Sequence, residues 1–238
     1  MTWRLHHRAE TVSTNHDARA GVPGDVFTAD FQTAGRGRLD HRWLSPPRTN
    51  LMMSAVLSVG GQAPETVATL PLVAGLAVVR AARRLLAGRA MPLLKWPNDV
   101  LVDGRKLAGI LCERAGDAVI VGIGVNVGET AFPAELASRA TSLALLLAPE
   151  APPAVVAVRD LVLAELAVLY ARWRADGFAA LHPDVAAVDF LCGRRVAVCQ
   201  TDADAAPTQG LCGGIRADGS LDVGGAGVYA GEVHVTAF

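Results

Sequence analysis

The sequence is almost without lysine and has no large excess of either charge. Two of its 22 basic residues are lysine, and its 23 acidic residues leave a formal net charge of −1. A general nucleic-acid-binding surface needs a broad basic face, so this balance argues against one. Disordered chains are excluded as well, because they are poor in hydrophobic residues and this chain has 51%. The composition predicts one substantial core, or one core with a small second domain.

The sequence also lacks the marks of membrane insertion, secretion and structural metal binding. No run of about 18 uninterrupted apolar residues is present, so no transmembrane helix is predicted. Residues 1–10 lack the hydrophobic stretch of a secretory signal. No C-x-x-C pair is present among Cys112, Cys192, Cys199 and Cys212. We expect a cytoplasmic, reduced protein without a structural metal, whose cysteines are small buried or half-buried thiols.

Both lysines, Lys95 and Lys106, fall in one short stretch of the chain. A lysine ammonium is a compact point charge, whereas the arginine guanidinium is a planar fork. Beside 20 arginines, a retained lysine indicates chemistry that arginine does not perform, with chance retention as the alternative.

Hydrophobic patterning divides the chain into a mixed part and an all-β tail. Strands are predicted over 3–7, 25–32, 51–59, 93–96, 100–102, 107–113 and 118–127, and helices after 13–15 and over 66–88 and 154–174. From about Asp189, short strands with glycine turns take over, at 195–200, 210–216, 220–223 and 228–235. The tail predicts a small β-barrel docked on the first domain, so residues 1–188 and 189–238 are the predicted domains.

Residues 33–50 form a predicted loop without hydrophobic periodicity, and a loop of that length is more often functional than a plain connector. It continues from Gln32 as Thr33-Ala34-Gly35-Arg36-Gly37-Arg38. Glycines let backbone N–H groups approach a ligand, and two nearby guanidiniums can bind carboxylate or phosphate oxygens. The pattern fits neither the dinucleotide fingerprint nor the P-loop. A solvated basic loop is the alternative.

Three further segments carry candidate chemistry. Lys95-Trp96-Pro97-Asn98-Asp99 predicts a strand that ends at the lysine and is followed by a turn, which would direct the ammonium into a cleft. A snorkelling surface lysine is the alternative. Residues 104–113 and 121–127 place glycines inside predicted strands, where a ligand or another backbone can approach closely. Dense strand packing is the alternative for 121–127.

Taken in order, these motifs resemble the biotin–protein ligase family. They are Ser-Thr-Asn at 13–15, Gln-Thr-Ala-Gly-Arg-Gly-Arg at 32–38, Lys-Trp-Pro-Asn-Asp at 95–99, Gly-Arg-Lys-Leu-Ala-Gly-Ile-Leu-Cys-Glu at 104–113 and Gly-Ile-Gly-Val-Asn-Val at 122–127. The resemblance runs from about Ser13 to Val235. It implies an α+β fold, namely a class II aminoacyl-tRNA synthetase-like mixed sheet with helices and a C-terminal SH3-like small β-barrel.

The resemblance implies a two-step reaction. Biotin and MgATP would give biotinyl-5′-AMP and pyrophosphate, and a lysine of a biotin carboxyl carrier domain of a biotin-dependent carboxylase would then take the biotinyl group. The biotin carboxylate and the α-phosphate are both anions, so cationic donors must offset their repulsion. Biotin's own carboxylate attacks, so no protein nucleophile is needed.

The resemblance also implies the site residues. The candidate catalytic residues are Lys95, Arg38 and Arg36. The implied biotin site comprises Ser13, Thr14, Asn15, Gln32, Gly35, Arg36, Gly37, Arg38, Lys95, Gly109, Gly122 and Ile123. The implied ATP contacts come from Arg38, Trp43, Lys95, Asn98 and Asn126. No metal ligand is assigned, because Mg²⁺ would arrive with ATP.

Two features depart from the family pattern. Many relatives continue after Arg38 with a residue, a glycine and a basic residue, whereas this chain has Leu39-Asp40-His41-Arg42. Asp40 adds a negative charge and lacks the conformational freedom of glycine. In addition, only 12 residues precede Ser13, too few for the winged helix-turn-helix of relatives that act as repressors. We therefore expect the monofunctional form, a monomer or homodimer without nucleic-acid or membrane partners.

Three other functions remain as alternatives. The same scaffold could transfer lipoate or octanoate, although the full set of motifs weighs against it. A DNA-binding regulator that senses biotin is opposed by the pI near 6.6. A non-catalytic binding module is the third alternative.

Overall fold

The structure is a computed structural model that describes residues 1–39, 41–199 and 206–236. Its strands are β1 (Arg4–Thr11), β2 (Asp25–Gln32), β3 (Leu51–Ser58), β4 (Pro92–Lys95), β5 (Asp99–Val102), β6 (Arg105–Ala115), β7 (Ala118–Val125), β8 (Arg195–Cys199), β9 (Thr208–Ile215), β10 (Leu221–Val223), β11 (Ala226–Val228) and β12 (Glu232–Val235). Its helices are α1 (Thr14–Ala18), α2 (Pro64–Val67), α3 (Leu70–Leu86), α4 (Leu143–Leu147), α5 (Val155–Asp176) and α6 (His182–Ala186), with a 3₁₀ turn at Phe178–Ala180.

A seven-stranded mixed sheet forms the centre of the protein, in the order β1-β2-β3-β7-β6-β5-β4. β1 runs parallel to β2, and every other neighbouring pair is antiparallel. The interior strand β3 is buried from Leu51 to Leu57, as its almost unbroken apolar sequence predicts. The predicted α+β class is confirmed in this mixed sheet with helices.

The two faces of the sheet are covered differently. α3 and α5 pack against each other and against one face, where they form the main core. On the opposite face, α1 packs through Ala18 against Val56 and Ile120. Because side chains alternate along a strand, Gly122 and Gly124 lie on the same face as Ile120. The short helix α1 leaves room on that face for a cavity.

The helix predicted over residues 66–88 is instead two helices, α2 and α3. The second begins at Leu70 and has Pro71 in its first turn, where proline is favourable. Proline also disfavours helical geometry in the residue before it, so α2 does not continue into α3. Residues 64–86 contain an 18-residue window with a mean hydropathy of 1.4, but 67% of that window is buried inside the protein. Its apolar character therefore serves the core.

The second sheet is antiparallel, in the order β11-β10-β9-β8-β12. The single strand predicted over 228–235 is wrong, because β11 ends at Val228 and β12 begins at Glu232. Gly231 adopts a φ of 144° between them, and a Cβ there would lie 2.6 Å from Val198 Cγ1. A turn that only glycine suits thus separates the two strands.

The second sheet is joined to the first by specific polar contacts. The indole Nε1 of Trp96, directly after β4, donates to the carbonyl of Gly219 at 3.0 Å. His182 Nε2 donates to the carbonyl of Ile215 at 2.7 Å. Asp189 accepts the backbone N–H groups of Ile215 and Leu191, and burial raises the pKa of this carboxyl. These contacts place β12 beside the cavity described below.

The cysteines are less buried than predicted. Cys212 is buried and Cys112 is half-buried, but Cys192 and Cys199 are exposed. Their positions explain the difference, since Cys192 lies in a turn and Cys199 ends the short strand β8, whose burial pattern exposes both ends.

Replacing Trp173 with alanine is expected to destabilise the core strongly. Trp173 is fully buried on α5, and its Nε1 donates to Thr69 Oγ1 at 3.0 Å. The substitution should reduce the free energy of unfolding by about 3–5 kcal/mol, because it leaves a large cavity. Urea denaturation measures this change. Val168→Ala on the exposed side of α5 is the control, and a loss in Trp173→Ala no larger than in this control would contradict the prediction.

Candidate active site

A cavity opens on the sheet face that α1 occupies, between the loop of residues 33–50, the β4–β5 turn and β12. It brings together nearly all the predicted site residues: Ser13, Thr14, Asn15, Gln32, Arg36, Gly37, Arg38, Trp43, Lys95, Asn98, Gly109, Gly122 and Ile123. These residues come from six separate parts of the chain, so their meeting is a result of the fold.

Glycines of β6 and β7 form the floor of this cavity. Gly109 and Gly124 are paired across the two strands, and Gly122 is paired with Leu111. A Cβ at Gly122 would lie 2.3 Å from Asn15 Oδ1, and one at Gly124 would lie 2.6 Å from the Trp43 indole. The alternating glycines therefore leave one face of β7 bare, and this lets the side chains of Asn15 and Trp43 approach the strand closely.

The inner end of the cavity is a connected set of polar side chains on α1, β2 and β3. Gln32 Oε1 accepts the Thr14 backbone N–H at 2.7 Å. The Ser54 hydroxyl donates to Asn15 Oδ1 at 2.6 Å and lies 2.7 Å from Thr14 Oγ1. Ser13, Thr14, Asn15 and Ser54 are all buried. Their mutual bonds hold a rigid polar surface that can recognise a polar ligand group.

Residues 35–38 of the loop pair with residues 41–43. Arg36 and Arg42 form an antiparallel bridge, and the Trp43 N–H donates to the Gly35 carbonyl at 3.0 Å. The Gly37 N–H donates to the His41 carbonyl at 2.6 Å. This hairpin-like turn places the guanidiniums of Arg36 and Arg38 at the cavity, which disfavours the alternative of a merely solvated loop. Asp40 lies outside the described residues.

Arg38 connects the loop to both sheets. One of its NH groups donates to Asn98 Oδ1 and the other to the Gly231 carbonyl, both at 3.3 Å. Burial lowers the pKa of the Arg38 guanidinium, while the charges of Asp99 and Glu232 act in the opposite direction. A guanidinium with reduced hydration interacts strongly with an anion.

Lys95 ends β4 and faces the cavity, as its motif predicts. Burial lowers the pKa of its ammonium group, and the nearby Lys106 lowers it further, whereas Asp99 and Glu232 raise it. Lys106 itself pairs with Asp99 at 2.7 Å. Lys95 is therefore a half-buried cation at the site rather than a snorkelling surface residue.

The Trp96-Pro97-Asn98 turn holds Lys95 in place. Asn98 Nδ2 donates to the Ile110 carbonyl at 2.7 Å, and the Ile110 N–H donates back to the Asn98 carbonyl at 2.9 Å. Trp96 is buried and joined to the second sheet. With both flanks fixed, the position of the lysine depends little on the loop of residues 33–50.

Three predicted residues contribute differently from the rest. Gly35 borders an adjoining cavity on the other side of the loop. Asn126 does not line the main cavity, because its buried amide donates to the carbonyls of Lys106 and Thr141. The Ile123 side chain belongs to the main core, on the opposite face of β7 from the glycines. The assigned roles of these residues remain predictions.

Several residues at the site were not singled out for a role from the sequence. Ser54 bonds to α1, Glu113 binds Arg36, and Glu232 brings a carboxylate from the second sheet. Ser54 had one local signal, as a hydroxyl inside an otherwise apolar buried strand. Glu113 closes the motif at 104–113, but its partners lie far away in the sequence and no role was assigned to it. Glu232 had no local signal.

The described residues contain no group of three or more His, Cys, Asp or Glu side chains arranged to hold a metal ion. Two carboxylates, Asp99 and Glu232, border the main cavity among its described lining.

Comparison with known proteins places this site in a family. Residues 11–128 match the Biotin/lipoate A/B protein ligase family. A biotin–[acetyl-CoA-carboxylase] ligase of Mycobacterium tuberculosis is 40% identical over 204 residues, covering 82% of this chain and 75% of that protein. Another, of Paracoccus denitrificans, is 41% identical over 128 residues, or 50% of this chain and 52% of that one.

The fold agrees with these sequence relationships. The structure of the biotin protein ligase from Aquifex aeolicus in complex with biotin and ATP matches with a TM-score of 0.87 at 26% identity, covering 98% of this chain and 99% of that one. The mixed sheet and the second antiparallel sheet are both included in this match. The chain belongs to the biotin protein ligase family of enzymes.

Proposed function

We propose that the protein joins biotin to a protein lysine in two steps, with biotinyl-5′-AMP as the intermediate. The observation that carries this proposal is the cavity in which the polar group of Thr14, Asn15 and Gln32 lies beside the cations Lys95 and Arg38. The polar group can form hydrogen bonds with the ureido group of biotin. The two cations can bind the biotin carboxylate and the ATP phosphates. The relatives named for biotin ligation support the same reaction.

In the first step, an oxygen of the biotin carboxylate attacks the α-phosphorus of ATP. The new bond is an acyl phosphate, and the bond to the β-phosphate breaks to release pyrophosphate. Lys95 and Arg38 offset the repulsion between the two anions and stabilise charge on the phosphate oxygens. Arg36 orders the loop or contacts phosphates, and Trp43 and Asn98 contact the nucleotide.

Mg²⁺ would enter with ATP and be held mainly by phosphate oxygens and water. Asp99 and Glu232, which border the cavity, would supply carboxylate oxygens of the kind that this ion favours. When bound, it adds positive charge beside the triphosphate.

In the second step, a lysine amine of a biotin carboxyl carrier domain attacks the carbonyl of the mixed anhydride. The amide bond forms, the bond to the phosphate oxygen of AMP breaks, and AMP leaves. Because the anhydride is prone to hydrolysis, the loop must exclude water until the carrier arrives. The acceptor belongs to a biotin-dependent carboxylase in this proposal.

The proposal extends to the organisation of the chain. Residues 1–188 form the catalytic domain, related to class II aminoacyl-tRNA synthetases, and residues 189–238 form an SH3-like domain. The near-neutral charge supports a protein that binds no nucleic acid. We place the enzyme in the cytoplasm, as a monomer or homodimer.

Lipoate or octanoate transfer is the second candidate. A fatty chain needs an apolar pocket, whereas the inner end of this cavity is lined by buried hydroxyl and amide groups. A fatty chain can form no hydrogen bond with such groups, which disfavours this acid.

Pyrophosphate release from ATP in the absence of an acceptor tests the first step. We expect release with biotin and none with lipoate or octanoate. Lys95→Ala should reduce the rate with biotin about 100-fold or more, because loss of one preorganised donor typically has an effect of this size. Arg172→Ala is the matched control, since it removes a cation that pairs with Asp184 outside the cavity at 3.0 Å.

Release with another acid alone would change the proposed substrate while retaining the scaffold. No release with any acid would favour a binding module instead, whereas full activity of Lys95→Ala would show that Lys95 does not take part in the first step.

Limited trypsin digestion tests the closing of the loop. Biotin with ATP should slow cleavage after Arg36 and Arg38, because the bound ligands engage both guanidiniums and order the segment. Cleavage after the exposed Arg139, which lies outside the cavity, serves as the control within the same protein. Equal cleavage of the loop with and without ligands would show that the loop does not close over them.

A further inference from the structure

Glu113 occupies a junction between the polar end of the cavity and the loop. Its carboxylate accepts hydrogen bonds from Asn15 Nδ2 at 2.6 Å and from Arg36 at 2.8 and 2.9 Å. Arg19 of the segment after α1 is a third partner, at 3.2 Å. The residue lies on β6, which belongs to the rigid central sheet. One carboxylate therefore ties two separate parts of the site to a fixed strand.

The contacts form an unbroken polar path across the site. It runs from Gln32 to Thr14, Ser54, Asn15, Glu113 and Arg36. Each neighbouring pair is within 2.9 Å. The first members border the cavity, and the last is the guanidinium of the loop. Glu113 is the only charged link between them among the described contacts.

The orientation of Asn15 depends on this carboxylate. Its Oδ1 accepts the Ser54 hydroxyl, so its Nδ2 must face an acceptor, and Glu113 provides one at 2.6 Å. Because Gly122 lies directly beneath the amide, the side chain has little room to turn. An acceptor at position 113 is thus sufficient for Asn15, whether or not it is charged.

Arg36, unlike Asn15, requires the negative charge of Glu113. It forms two contacts to the carboxylate, and a negative charge strengthens both. Burial raises the pKa of Glu113, but the hydrogen bonds from Asn15, Arg36 and Arg19 outweigh it and the net pKa is lowered. The carboxylate therefore stays ionised at neutral pH. The two roles can be separated by a neutral side chain of the same shape.

We propose that Glu113 is a positioning residue for adenylation, which holds the loop through Arg36 while it fixes Asn15 in the biotin site. This inference rests on the proposed function. Glu113 touches none of the reacting groups; it acts on ATP binding by limiting the positions that the loop can adopt. A general stabilising role is disfavoured, since the arginine partners are about half exposed and such surface pairs contribute little stability.

Glu113→Gln is the test, because glutamine keeps an acceptor for Asn15 and removes the charge for Arg36. We expect the KM for ATP in biotin-dependent pyrophosphate release to rise about tenfold. The Kd for biotin alone, measured by calorimetry, should change less than twofold. In the unliganded protein, trypsin cleavage after Arg38 should become several-fold faster. A structural defect would instead weaken both ligands together.

Two further variants sharpen the test. Arg36→Gln combined with Glu113→Gln should be no worse than Arg36→Gln alone in KM for ATP, because the contact that Glu113→Gln weakens is already absent without Arg36. Arg8→Gln is the matched control, since it breaks an ion pair with Asp17 of α1 at 3.3 Å without touching Glu113. This control should behave like the unaltered protein.

The outcomes are distinguishable from those of the proposed function. If the unaltered protein releases no pyrophosphate, the proposed function fails, and the cleavage rate in unliganded Glu113→Gln still decides whether this residue holds the loop. If the unaltered protein is active, an unchanged KM for ATP in Glu113→Gln, or additive effects in the double variant, would overturn the inference alone.

Discussion

The absence of side chains at three positions of two neighbouring strands determines the shape of the site. Gly122 and Gly124 of β7 lie beneath Asn15 and Trp43 at distances that a Cβ would violate. A Cβ at Gly109 of β6 would lie 3.0 Å from Lys106 and 3.4 Å from Trp43. Without this glycine floor, α1 and the base of the loop would be lifted from the sheet. The other contacts of the cavity depend on that close approach.

Above this glycine floor, the cavity is lined by two partly dehydrated cations, Lys95 and Arg38. Burial lowers the pKa of both Lys95 and Arg38, and Asp99 and Glu232 partly compensate for it. Cations in such surroundings attract an incoming anion more strongly than fully hydrated ones. Glu232 and the Gly231 carbonyl come from the second sheet. The second sheet therefore contributes to the electrostatics of the site as well as to its walls.

Local patterns predicted the longer elements of the fold, but they did not predict α4 or α6. β2 has the predicted bounds and Lys95 ends its strand as expected, because both depend on nearby turns and alternation. The separation of α2 from α3 was missed although Pro71 marks it. The role of Glu113 could not be recognised from its motif, since its partners Asn15 and Arg36 lie 98 and 77 residues away. Asn126 is the opposite case, since its motif predicted a ligand contact but its amide donates to backbone carbonyls instead.

The loop is held by contacts that can be exchanged for ligand contacts. Apart from its own turn, the segment relies on Arg36 with Glu113 and on Arg38 with Asn98 and Gly231. Partly exposed polar contacts of this kind are individually weak, so the segment can open at little free-energy cost. Trp43, packed on the glycine floor, anchors its far end. Because Trp43 is fixed while the contacts of Arg36 and Arg38 can be exchanged, the segment can open for a ligand and then bring both guanidiniums back to the same position. A rigid loop could not open, and a loop without an anchor would not place the guanidiniums reproducibly.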